Sequence, residues 1–144
     1  MRPAQPPVGL QLTQTARTVS RAFDDALAED GGSLPVWLVL LAMKTRNLAS
    51  QRELAEAVGI REATLTHHLN AMETAGLISR QRDPANRRIH IVELTPAGDQ
   101  MFMTLRAAAI DFDERLRGGI SEQEISRLRG LLARLAGNAR PPAG

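Results

Sequence analysis

Apolar residues recur at steps of three and four along most of the chain, and this spacing predicts helices. Leu12, Ala16, Val19, Phe23 and Leu27 form one stripe on a helix from about Leu10 to Glu29, which Asp30-Gly31-Gly32 ends. Ser33 can cap a second helix with Pro35 in its first turn, and the nearly unbroken apolar run Val36 to Met43 predicts burial on several sides before a stop near Asn47. Ser50-Gln51-Arg52-Glu53 has capping-box spacing, so a short helix follows over Gln51 to Val58. Gly59 supplies a left-handed corner, and Leu65, Leu69 and Met72 mark a further helix ending at Gly76.

The period then drops to two. Ile78, Arg80 and Arg82 alternate with their neighbours, Asp83-Pro84-Ala85-Asn86 is turn chemistry, and Ile89, Ile91 and Glu93 alternate on the return, which predicts a hairpin with an arginine-rich tip. Thr95-Pro96 opens a long helix striped by Phe102, Leu105, Ala109, Phe112 and Leu116. Gly118-Gly119 breaks it, and Ser121 with Glu124 caps a last helix carrying Ile125, Leu128, Leu131, Leu132 and Leu135. The expected organisation is a disordered arm at 1–9, a helical dimerisation region at 10–46 and 95–137, a winged helix-turn-helix lobe at 47–94 and a disordered tail at 138–144. The fold class is therefore mainly α with a small two- or three-stranded wing.

Within Gln51 to Asn70, small Ala55 lets two helices approach, Gly59 turns the corner, and Ile60, Leu65 and Leu69 fill the angle between them. Those are the requirements of a helix-turn-helix, and a basic hairpin directly after it makes a winged helix, a DNA-binding arrangement.

Composition narrows the chemistry. In 144 residues there is no cysteine, which removes disulfides, thiolate metal sites, cysteine nucleophiles and thiol redox sensing. Lys44 is the one lysine among 18 basic residues. Arginine offers a planar fork of donors to phosphates and guanine edges, although the net charge is only +2. No apolar run nears the roughly eighteen residues of a membrane span, so a cytoplasmic protein without a membrane partner is expected.

The sequence resembles the MarR (multiple antibiotic resistance regulator) family of bacterial transcription regulators. The residues carrying the resemblance are Ser50-Gln51-Arg52-Glu53-Leu54-Ala55, Leu65-Thr66-His67-His68-Leu69, Met72-Glu73-Thr74-Ala75-Gly76-Leu77-Ile78, and Asn86-Arg87-Arg88 running into Leu94-Thr95-Pro96-Ala97-Gly98. The likeness implies a homodimer joined through the terminal helices. The family's wing usually carries Asp-x-Arg; here Asn86 replaces the aspartate, so the carboxylate that would fix the wing arginine is missing, and Asp83 is the substitute on offer.

Helical periodicity assigns the contact face independently. With Leu65, Leu69 and Met72 inward, Ala63, Thr66, His67, Asn70 and Thr74 turn outward, with Thr64 on the flank. Thr64, Thr66, His67 and Asn70 are assigned to the major groove and Arg61 to phosphate near the helix start. This face is nearly uncharged, so affinity falls to the wing, to Arg80, Arg82, Arg87 and Arg88. Arg88, at the position of the family's wing arginine, is the choice for the minor groove, with Arg87 as the near rival.

Other readings are weaker. His67 and His68 are neighbours on a helix, point about 100° apart and cannot share an ion; His68 reads as a half-buried packing residue. Glu53 is explained by capping and Glu56 by an exposed face. No catalytic residue, metal or cofactor is expected. The apolar terminal helices call for a second copy, which would set two recognition helices about 34 Å apart on double-stranded DNA. In the resembling regulators an effector enters between the dimer helices and the DNA-binding lobe. Phe23, Trp37, Met43 and Phe102 are the candidates for a small aromatic or amphipathic ligand here, and each also sits at an expected core position. The expected function is a sequence-specific repressor on a pseudo-palindromic operator. The rival is a dimeric winged-helix protein-interaction module with little DNA affinity.

Overall fold

A computed structural model of the chain describes residues 4–48 and 50–143. Its elements are α1 (Val8–Ala28), α2 (Leu34–Thr45), α3 (Gln51–Val58), α4 (Glu62–Thr74), β1 (Ile78–Arg82), β2 (His90–Leu94), α5 (Pro96–Leu116) and α6 (Glu122–Ala139). This is a mainly helical winged helix-turn-helix, and no described helix is long and apolar enough to cross a membrane.

The capping predictions explain the starts. The Ser33 hydroxyl accepts from the Val36 amide at 3.3 Å and that of Ser50 from the Glu53 amide at 3.2 Å. At α6 both halves of the box are made, between Ser121 and Glu124. Gly59, at φ 77, provides the left-handed corner between α3 and α4.

Several boundaries differ from the pattern. Helix α1 starts inside the stretch assigned to a disordered arm, because Pro7 stands just before the first turn, where no N–H is needed, and its carbonyl accepts from Gln11 at 3.0 Å. Helix α6 runs through Gly137 to Ala139, into the stretch assigned to a disordered tail; a helical glycine costs only about 1 kcal/mol relative to alanine. Residues 1–3 and Gly144 lie outside the described residues.

The core does not divide at residues 47 and 94. Described residues up to Ile110 form one compact unit, in which Leu27 of α1 and Trp37, Leu40 and Met43 of α2 share a cluster with Leu54, Leu65, Leu69, Met72, Ile78, Val92 and Leu105. Helix α2 is too apolar to leave bare, and α3 and α4 close over it. Residues from Asp111 form a second unit, where Arg117 pairs with Asp113 at 3.5 Å and Glu122 at 2.6 Å, and Ile125 is buried.

In the wing, β1 and β2 pair antiparallel with Ile78 opposite Leu94, Arg80 opposite Val92 and Arg82 opposite His90. The return strand buries Val92, so its inward phase is opposite to the alternation of Ile89, Ile91 and Glu93. Ile91 faces the other way and forms a single antiparallel bridge with Ser50. Among the described residues that bridge is the whole of the third strand.

The root of the wing is clasped to the end of α4. Thr95 donates its hydroxyl to the Gly76 carbonyl at 2.5 Å, accepts from the Gly98 amide at 3.0 Å, and sends its own amide to the Leu77 carbonyl at 3.1 Å. A Cβ on Gly98 would collide with that same Leu77 oxygen. The Gly76-Leu77 and Thr95-Pro96-Ala97-Gly98 segments are thus two halves of one joint.

Candidate nucleic-acid interface

Helix α4 buries Leu65, Leu69 and Met72 and leaves Ala63, Thr64, His67, Asn70 and Thr74 exposed, which is the face that periodicity assigned outward. Arg61 occupies the N-cap position, exposed, with no side-chain capping bond to hold it. His68 is half-buried, and its ring meets that of His67 edge-on at 5.7 Å.

Thr66 stands apart from this group. It is half-buried, its hydroxyl accepts from Gln51 Nε2 and donates to the Glu62 carbonyl at 2.9 Å. The helical wheel of α4 cannot register a side chain brought by α3. Gln51, which the sequence reading left without a role, therefore joins the two helices at the corner.

The wing arginines divide into two kinds. Arg80 is largely covered, with only 17% of its side chain exposed, and its guanidinium bonds the Glu73 carboxylate at 3.2 Å and the Asn70 side-chain oxygen. Its backbone amide also donates to Glu73 at 3.2 Å. Hydrogen bonding from the Arg80 side chain, with its positive charge, holds the Glu73 carboxyl below its ordinary pKa. Arg82, Arg87 and Arg88 instead have exposed side chains without a hydrogen bond or ion pair among the described residues.

The wing tip is held by short polar side chains. The Asp83 carboxylate accepts from the Ala85 amide at 2.9 Å, and the Asn86 side-chain oxygen accepts from the Arg88 amide at 3.2 Å. Asn86 thus does the backbone work that an aspartate could do, and Asp83 is engaged with backbone and pairs with no wing arginine among the described residues. Between the tip and α3 lies an open groove of about 820 Å³, lined in part by Arg52, Glu53, Glu62, Asp83, Arg88 and His90. Exposed Arg61 at the start of α4, exposed Arg82, Arg87 and Arg88 in the wing, and exposed His67 and Asn70 on α4 fit a polyanion with hydrogen-bonding edges.

Of the residues assigned to an effector, Trp37, Met43 and Phe102 are buried and Phe23 is half-buried. Trp37 and Phe102 stack at 5.5 Å with planes 12° apart, and Lys44 Nζ lies 5.6 Å from the Phe102 ring centre while pairing with Asp99 at 2.9 Å. Met43 also lines a cavity of about 430 Å³ with Lys44, Leu48, Val92, Leu94 and Asp99.

The comparisons with known proteins agree with this geometry. The MarR family model matches residues 33–90, which hold α2, the helix pair and the wing as far as the first residue of β2. A curated relative, an uncharacterized HTH-type transcriptional regulator of Bacillus subtilis named YdgJ, is 33% identical over 89 residues, 62% of this chain and 54% of the relative; the chain spans about half the length of that protein. The crystal structure of a transcriptional regulator 32% identical to this chain covers 92% of it and 97% of its own length, with a TM-score of 0.78. The transcriptional repressor CouR, solved bound to a 23-mer DNA duplex, is 26% identical, covers 90% of this chain and 92% of its own, and has a TM-score of 0.82. With a matched region that contains the helix corner and the first strand of the wing, and a transcriptional regulator 32% identical over nearly its whole length, the chain belongs to the MarR family of transcriptional regulators.

Proposed function

We propose that the protein binds double-stranded DNA as a homodimer, reads a pseudo-palindromic operator in the cytoplasm, represses transcription there and performs no chemistry of its own. The observation that carries this reading is the set of free arginines, Arg82, Arg87 and Arg88, beside an exposed and nearly uncharged α4 face. Arg88 enters the minor groove and Arg61 meets phosphate. Thr64, His67 and Asn70 read base edges, with Thr66 acting from behind through Gln51. The DNA-bound state of CouR supports the same use of this fold. Dimerisation is supported by exposed apolar residues on the terminal helices, among them Val8 and Leu10 of α1 and Leu128 and Leu131 of α6.

A small aromatic or amphipathic effector acts near Met43 and the cavity it lines. Trp37 and Phe102 already stack on one another in the core, and neither they nor Phe23 line that cavity. Such a ligand releases the operator only by binding one dimer geometry more tightly than the other.

A salt titration of duplex binding tests the reading. A steep fall of log affinity against log salt is expected, and Arg88→Ala should flatten the slope by about one unit and weaken all sequences alike. His67→Ala should instead change the ranking of sequences. Binding that is absent or insensitive to salt across genomic fragments would favour the protein-interaction module.

A further inference from the structure

We infer that Arg80 is a positioning residue for base reading: it turns the Asn70 side-chain amide so that only its amino group is offered to the DNA. The inference rests on the reading of α4 as the recognition helix.

An asparagine amide is ambiguous by nature. Its oxygen accepts and its nitrogen donates, the two ends are nearly the same size, and a half-turn about the last torsion exchanges them. Exposed on a helix with no partner, it presents either end. At Asn70 that freedom is removed, because the group beside it is a guanidinium, which has five donors and no acceptor. The oxygen must therefore face Arg80. The nitrogen, which has no partner among the described residues, is left as a pair of donors on the exposed side of α4.

Arg80 can do this because it is itself held. The Glu73 carboxylate takes its Nε at 3.5 Å and one terminal nitrogen at 3.2 Å, while the backbone amide of Arg80 reaches the same carboxylate at 3.2 Å. Glu73 lies one turn after Asn70 on the same helix, and Arg80 is the middle residue of β1. Helix, strand and ion pair close a small ring with the amide on its rim.

The consequence for recognition follows from the groove edges. Guanine, adenine and thymine each show at least one acceptor in the major groove, whereas cytosine shows its amino donor. A donor-only Asn70 rejects cytosine at the position it meets. An amide free to turn would present its oxygen and accept cytosine.

The test selects bound sequences from a randomised duplex pool with the full-length protein and its variants, alongside a salt titration of each. Asn70→Ala locates the base that Asn70 reads as the position whose preference disappears. There the unaltered protein should disfavour cytosine by about tenfold, the size of one good base contact. Arg80→Met should erase most of that discrimination and leave other positions and the salt slope as they were. Arg80→Lys, which keeps a donor for the oxygen, should restore part of it. Asn70→Asp, which offers only acceptors, should turn the preference towards cytosine. In the Asn70→Ala background, Arg80→Met should change no base preference. Circular dichroism melting identifies a variant that fails to fold; should Arg80→Met do so, the Arg80→Lys and Asn70→Asp results decide. The inference is overturned if Arg80→Met leaves the cytosine rejection intact, or if it weakens all sequences equally and lowers the salt slope by about one, the mark of a direct phosphate contact. Should the unaltered protein bind no duplex, the DNA-binding reading itself falls and this inference with it. Binding without any preference that depends on Asn70 would sink the inference alone.

Discussion

Helices α4 and α6 differ more in what covers them than in what they are made of. Thirteen residues of α4 bury Leu65, Leu69 and Met72 within the chain's own core, while 18 residues of α6 bury Ile125 alone and leave Leu128, Leu131 and Leu132 exposed. Helix α1 is like α6, with 21 residues and only Leu27 buried. A helix striped with leucine does not keep that stripe in water without a partner. The central lobe buries its apolar stripe within the chain, and α1 and α6 leave most of theirs exposed.

The largest test of this contrast is Leu128→Arg together with Leu131→Arg. Sedimentation should show a monomer, and affinity for a full palindromic duplex should fall about a hundredfold or more, as expected when two linked sites are reduced to one. A variant that stays dimeric would place the partner surface elsewhere.

Gly98→Ala attacks the other side of the contrast. The added methyl meets the Leu77 backbone oxygen and approaches a Leu94 methyl at 3.1 Å, so the clasp must open. A loss of about 1–3 kcal/mol, or roughly 5–10 °C in melting temperature, is expected with the dimer retained. An unchanged melting curve would mean that the wing root is not anchored through this contact.

The smallest effect is a pH dependence. The Glu73 pKa is lowered by its bonds to Arg80, so the pairing stabilises the fold above the ordinary carboxylate range and is lost as pH falls through the lowered value. Carboxyl NMR of Glu73 should give a midpoint below the ordinary one, and Arg80→Met should raise it. Equal midpoints in the two proteins would show that the pair is not formed in solution.

Most of the fold was legible because its signals are local. Ser33, Ser50, Ser121 and Gly59 set helix starts and the corner, and each acts within a few residues of itself. What the sequence concealed depends on residues far apart in the chain. Arg80 reads as one more wing cation until Glu73 and Asn70 are seen to hold it, and Thr66 reads as a surface hydroxyl until Gln51 arrives from α3. The phase of β2 was obscured for a similar reason: Ile89, Ile91 and Val92 are all β-branched and apolar, so only packing against the core distinguishes Val92 as the inward residue. At position 86 the substitution of asparagine for aspartate looked like a loss, because the sequence gives no sign that the side chain's partner is a backbone amide.

The clasp formed by Thr95 carries a mechanical meaning. Gly76 ends the turn after α4 and Thr95 follows directly on β2, so the hydrogen bonds between them tie α4 and the hairpin into one lever. Whatever tilts that lever moves both of its arms, and a duplex gripped by helix and hairpin together would be let go by both in a single step.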